Sequence, residues 1–204
     1  LASVVSVQGE AEFVSRQDGD RLRGRLLFFA RRSGAGAAPG LRVEIMTSFG
    51  PIAILTLDDN VLALSDLRNG RFYSGAACPR NMARFFGVAL PRDTLFPLLL
   101  GLVPERVTAD ATLRCEDDKA TVAVGRFDVA VDYVSGARRW LPARIQPRGP
   151  NSWRASLSGY EAATLPDAKR VHLPTKLTLR QGDTETRLRV VSRRFNADFP
   201  QQAL

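Results

Sequence analysis

The chain has 204 residues, is 45% hydrophobic, and sets 29 Lys and Arg against 21 Asp and Glu for a formal net charge of +8. That length suits a single domain over residues 1–204, and that apolar fraction supports a sizeable core and excludes extensive disorder. No apolar run approaches the roughly 20 residues that cross a bilayer as a helix; the greasiest, Leu95–Val103, is too short.

The positive excess predicts attraction to polyanions, either nucleic acid or acidic lipid head groups. The arginines are scattered: Arg21, Arg23 and Arg25 alternate with Leu22, Gly24 and Leu26, while Arg187, Arg189 and Arg193 stand among Leu188, Val190 and Ser192. Such alternation is expected of the wet face of antiparallel strands. Leu1 is not followed by a basic segment and an apolar run, as expected of a chain that lacks a signal peptide or begins after its removal.

In chain order, Val4–Val14 reads as an extended segment pairing with Arg21–Arg31 across the polar turn Gln17-Asp18-Gly19-Asp20. Ser33–Gly40 is a glycine-rich loop whose spacing does not fit a phosphate-binding loop. Leu41–Leu57 then forms a hairpin. Before its turn Leu41, Val43, Ile45 and Thr47 alternate with polar or flexible residues; after it Ile52, Ala53, Ile54, Leu55 and Leu57 run almost continuously apolar. Gly50-Pro51 is expected to supply the turn, with Phe49 at its tip. The spacing alone favours a Phe49 tucked back onto the sheet, because hairpin tips usually face water.

Val61–Asp66 and Arg71–Ser74 make another hairpin about Asn69-Gly70. Pro79 opens a helix that carries Met82, Phe85 and Phe86 on one face and stops at Gly87. A second helix is expected over Pro91–Gly101, capped by Asp93 or Thr94, with Leu95, Leu98 and Leu99 as its stripe. Both are too apolar to lie free and must cover something. Strands resume at Ala111–Cys115, Thr121–Phe127, Asp128–Val134, Ala143–Gln146, Ser152–Ser158, Pro174–Arg180 and Thr184–Arg194. The order meander, helices, meander describes an antiparallel sheet curled around a helical plug or lid.

The residues for catalysis are sparse. One histidine, His172, precludes a multi-His metal site, and Cys78 and Cys115 have no C-x-x-C partners. No G-x-S-x-G elbow accompanies His172, and the acidic residues cluster in turns, so neither an enzyme nor a bound metal or cofactor is expected. The aromatics keep apolar company instead of interleaving with basic residues, which disfavours nucleic-acid binding. Cys78 and Cys115 permit one disulfide in an oxidising compartment and equally permit two thiols.

Residues 41–104 carry a more specific signature. The tip Ser48-Phe49-Gly50-Pro51 precedes an Asn-Gly hairpin ending Phe72-Tyr73-Ser74-Gly75, then F-F-G-V-x-L-P from Phe85 and D-T-L-x-x-L-L-L-G-L-V-P from Asp93. This order resembles the LolB-type outer-membrane lipoprotein receptors and their lipoprotein-carrier relatives. There a P-L-G tip is followed by a G-R-x-Y strand, an L-x-G-x-P-L-P lid segment and an L-L-G-x-P helix. A weaker match follows at Leu173-Pro174-x-Lys176-Leu177-x-Leu179.

The resemblance implies an incomplete antiparallel β-barrel of about 10–11 strands, its mouth covered by short helices over a hydrophobic cavity for acyl chains. It implies a periplasmic, monomeric carrier or receptor that passes lipoprotein acyl chains to the outer membrane, receiving them from a LolA-like partner. A carrier of free lipid or glycolipid, or a lipoprotein-sensing domain, would use the same scaffold. The family's N-terminal acylated cysteine is absent, so the anchor would lie upstream of Leu1 or not exist. Phe49 matches the projecting leucine of the P-L-G tip, which reverses the expectation from spacing and implies an exposed, membrane-inserting side chain. Inward-facing candidates for the acyl cavity are Leu22, Leu26, Phe28, Val43, Ile45, Ile52 and Ile54 from the sheet and Phe85, Phe86, Leu95, Leu98 and Leu99 from the lid. Sequence leaves open whether these twelve surround a space or fill it.

Overall fold

The computed structural model describes residues 3–17, 19–32, 40–58, 60–105, 111–116, 119–150 and 152–196. The Ser33–Gly40 loop lies, except for Gly40, outside the described residues. Thirteen strands form one antiparallel sheet, more than the 10–11 expected. They are β1 (Ser6–Gln17), β2 (Asp20–Arg31), β3 (Gly40–Thr47), β4 (Gly50–Asp58), β5 (Val61–Asp66), β6 (Arg71–Ala76), β7 (Thr112–Glu116), β8 (Lys119–Val124), β9 (Phe127–Val134), β10 (Arg139–Pro147), β11 (Arg154–Thr164), β12 (Arg170–Gln181) and β13 (Thr184–Phe195). Their spatial order is β6-β5-β4-β3-β2-β1-β13-β12-β11-β10-β9-β8-β7. The first and last strands therefore pair at the centre, and the edges β6 and β7 fall mid-chain. The curled sheet stays open, as expected for an incomplete barrel.

Between those edges run α1 (Pro79–Phe86) and α2 (Leu95–Leu99). Pro79 starts α1 and Gly87 ends it at φ 69°, the left-handed conformation that glycine adopts without steric cost. α2 is shorter than expected. Thr94 is its N-cap but makes no side-chain capping bond, and the chain before it is held by turns, with the Thr94 amide donating to the Pro91 carbonyl at 3.0 Å.

Three register shifts shape the sheet. Opposite Ile45 and Met46, β4 offers Ala53 and Pro51, leaving Ile52 as an extra residue. Opposite Val131 and Ala130, β10 skips Ala143. Opposite Glu10 and Ala11, β13 skips Val191. An inserted residue resets which way the side chains beyond it face. Hence Arg187 and Arg189 lie on the wet face as expected, but Arg193 does not. It is turned inward, where its guanidinium donates to the Pro174 carbonyl. Burial pulls its pKa down to about 10, only partly offset by the nearby Glu161 charge. Pro174 lacks an N–H, and the pairing of β12 with β13 ends at Lys176 and Arg189, just before it.

The β11–β12 hairpin is longer than the sequence suggested. Its strands continue through Gly159–Thr164 and Arg170–Leu173, closed by a turn in which the Leu165 amide donates to the Lys169 carbonyl at 2.9 Å. The two cysteines are free, so the permitted disulfide is not formed. Cys78 follows edge strand β6 while Cys115 lies exposed on the opposite edge strand β7.

The core is uneven. Toward β8–β12 it is solid, with Phe127, Ile145, Trp153, Ala155 and Leu157 buried and the Phe127 and Trp153 rings 6.0 Å apart. Toward β1–β5 it is not.

Candidate functional site

A cavity of about 590 Å³ lies between strands β1–β5, the paired strands β12 and β13, and the two helices. Its walls follow from strand parity. On β1 the inward residues are Ala11, Phe13, Ser15 and Gln17; on β2 they are Asp20, Leu22, Leu26 and Phe28. Gly24 breaks that second row because the Phe13 ring occupies the place, its edge 3.0 Å from where a Cβ would stand. Leu41, Val43 and Ile45 of β3 and Leu55 of β4 continue the wall. The extra residue in β4 lets adjacent Ile52 and Ala53 both border the cavity. The roof is Phe85 and Phe86 of α1 with Leu95 and Leu99 of α2.

Ten of the twelve residues singled out from sequence thus surround one space. Ile54 and Leu98 do not. Ile54, half-buried, follows Ala53 and takes the alternate face of β4, between Glu44 and Ser65. Leu98 is fully buried within the packed core. Sequence reasoning missed Ala11, Phe13, Leu41, Ala53, Leu55, Leu64, Leu179 and Leu188 on the walls. The alternation Ala11-x-Phe13 and the smallness of Ala11 and Ala53 were the available signals.

The polar members of the lining mark the mouth. Gln17, Asp20, Asp66, Arg68 and Arg84 gather where the β1–β2 and β5–β6 turns meet the end of α1. The Asn69 side-chain amide donates to Asp66 at 2.8 Å and the Asn69 backbone amide at 3.1 Å. These bonds, the side-chain one foremost, hold the Asp66 carboxyl below the usual range, with Arg71 adding to the effect.

The roof is latched to the last hairpin. Thr186 donates its hydroxyl to the Phe86 carbonyl at 3.0 Å, and the Gln181 side chain accepts from the Ala89 amide at 2.7 Å. Gly87 presses so closely on β13 that a Cβ there would stand 2.5 Å from the Thr184 methyl.

The β3–β4 tip opens at the same end as the mouth, because in an antiparallel sheet alternate turns share an end. The two turn residues are Ser48 and Phe49; Gly50, at φ 117°, and Pro51 already belong to β4 instead of supplying the turn. The Thr47 hydroxyl accepts from the Phe49 amide at 3.2 Å and donates to the Gly50 carbonyl at 3.0 Å. This closed turn displays Phe49 at full exposure, with Leu22 and Leu67 about half exposed at the same end.

Among the described residues no three His, Cys, Asp or Glu come together as metal ligands would, and no helix is long and apolar enough to cross a membrane.

An open, curled antiparallel sheet with a helix-roofed apolar chamber defines the architecture class. The particular fold is one already seen in solved proteins. A domain described as an outer membrane lipoprotein-sorting protein from Vibrio parahaemolyticus matches with a TM-score of 0.59 at 9% identity, over 97% of this chain and 88% of that one. A DUF1329 family protein from Desulfovibrio piger matches at 0.54 and 8% identity, over 96% and 88%. A LolA superfamily protein from Nitrosomonas europaea matches at 0.52 and 9% identity, over 97% and 89%. No protein-family model matches the sequence, and no curated protein matches it significantly. The chain therefore shares the fold of these proteins, an open curled antiparallel sheet of the kind that the residue 41–104 resemblance implied.

Proposed function

We propose that this chain carries lipid hydrocarbon, sheltering an acyl tail in the chamber beneath α1 and α2. The observation that carries this reading is the chamber itself: an apolar-walled space of about 590 Å³ left between sheet and roof, within the range of about 300–1,000 Å³ common to small-molecule sites. A methylene needs about the room of a water molecule, ~30 Å³. One long tail, on the order of 480 Å³ at sixteen carbons on that scale, fits the chamber. Burial stabilises such a tail by about 0.8 kcal/mol per methylene, so retention needs no covalent chemistry.

In the finer form of this reading, the protein is a periplasmic-side receptor or carrier. It takes lipoprotein acyl chains from a LolA-like partner and delivers them to the outer membrane. The displayed Phe49 would enter the bilayer interface while the mouth at the same end releases the cargo. The arginine-rich wet face would favour approach to acidic lipid, less so at high salt. Support comes from the shared fold, the chamber and the tip.

Native mass spectrometry after gentle purification tests this. A co-purifying acylated peptide is expected for the receptor; phospholipid alone would shift the reading to a free-lipid carrier. A protein that emerges empty and binds no fluorescent fatty acyl probe would overturn both.

A further inference from the structure

The mouth holds two arginines that pair with no carboxylate among the described residues. Arg68, in the β5–β6 turn, and Arg84, in the last turn of α1, both border the cavity. Neither guanidinium has a hydrogen-bond or ion-pair partner among the described residues. Asp66 stands near them but is already engaged: Asn69 donates to it twice, and Arg71 is the arginine whose charge it feels. Asp20, the other acid of the lining, is on β2, separated from β5 by β3 and β4.

Inward of these arginines the lining turns apolar, through Ile52, Leu64 and Phe85. A ligand that matched the whole path would be a hydrocarbon with a negative group at one end. We propose that Arg68 and Arg84 form a head-group site selecting amphiphiles with an anionic head, a phosphate or carboxylate, whose tail occupies the chamber. Arginine suits this because its planar fork of donors matches those oxygens, and charge-assisted bonds of this kind are the stronger ones. The proposal rests on the reading of the chamber as a tail site, and is independent of whether lipoproteins are the cargo.

The test compares cis-parinaric acid with its methyl ester, measuring fluorescence on binding at neutral pH and low salt. The two share a tail and differ in one charge. The acid is expected to bind roughly fivefold more tightly, the advantage of one to two partly exposed ion pairs. The double substitution Arg68→Gln and Arg84→Gln should abolish the difference and leave ester affinity unchanged, while Arg68→Lys with Arg84→Lys should retain part of it. Each single Gln variant should remove a share, which keeps the test available if the double variant misfolds. Inorganic phosphate at concentrations that leave the ester bound should not displace the acid; displacement would mark a site for free anions and overturn the amphiphile. Equal affinities in the unmodified protein, or a preference that survives in the double variant, would overturn the head-group site while leaving the chamber as a tail site. Binding of neither probe would overturn both.

Discussion

The Thr186 hydroxyl donates to the Phe86 carbonyl at 3.0 Å, tying the last turn of α1 to β13 across the top of the cavity. Because that hydroxyl has one proton, the 3.0 Å contact with Ser15 must be donated by Ser15. The chain Ser15–Thr186–Phe86 thus runs from wall to roof. Thr186→Val keeps the shape and removes the donor, and is expected to cost about 1 kcal/mol. Hydrogen exchange should rise at residues 84–88 more than in the central strands. Uniform acceleration everywhere would mean that this bond supports the whole fold instead of the roof.

Gly87 should be the least replaceable position of the roof. Its φ of 69° disfavours any side chain, and a Cβ would meet the Thr184 methyl at 2.5 Å. Gly87→Ala is expected to cost about 2–3 kcal/mol, combining left-handed strain with the clash. Gly182→Ala, at φ 57° with open space around it, should cost about 1 kcal/mol. Adding Thr184→Ser, which deletes the clashing methyl, should recover part of the Gly87→Ala loss in a double-mutant cycle read by urea denaturation.

Phe49→Glu should leave stability within about 0.5 kcal/mol, since the side chain is fully exposed. Co-sedimentation with vesicles containing acidic lipid should nevertheless fall severalfold. Unaltered sedimentation with intact folding would remove the tip from any membrane-docking role.

Filling the chamber should separate folding from capacity. Ala53 borders the cavity, so Ala53→Phe places its ring in that space. Fatty-acyl probe binding is expected to drop at least tenfold while the urea midpoint holds. Undiminished binding would place the probe elsewhere.

Acid should act partly through Glu185. Burial pushes its carboxyl up, but hydrogen bonds from Arg180 and from Arg187, the latter at 2.5 Å, outweigh this and hold it below the ordinary glutamate value of 4.5. A depressed folded pKa contributes stability fully present above that unfolded value and lost as pH falls through the folded one. Glu185→Gln should therefore be less stable at neutral pH and lose less on acidification below 4.5, as urea midpoints across that range would register.

Local chemistry made much of this architecture legible. Pro79 and Gly87 bracket α1 as read, and Asn69-Gly70 turns the β5–β6 hairpin. What escaped was parity. Nothing in the residues from Gly50 to Leu55 announces that Ile52 is an extra residue, yet that insertion brings Ile52 and Ala53 together at the cavity and leaves Ile54 outside the lining. The same kind of insertion at Val191 took Arg193 off the wet face. Such shifts are settled by how two strands meet, and each strand's sequence holds half of that information. Leu98 shows a related limit: in a five-residue helix covered on several sides, an apolar stripe does not distinguish the side facing a cavity from the side facing packed residues.

The pairing of β1 with β13, from Val7–Phe195 to Arg16–Glu185, has a kinetic consequence. Every other neighbouring pair can zip locally as a hairpin, but this seam joins segments separated by nearly the whole chain, and loop closure over such distances is slow. Until Thr184–Phe195 docks on β1, the two half-sheets would exist side by side, unjoined, with greasy faces uncovered. That interval, more than the finished structure, is when this molecule most needs protection from aggregation.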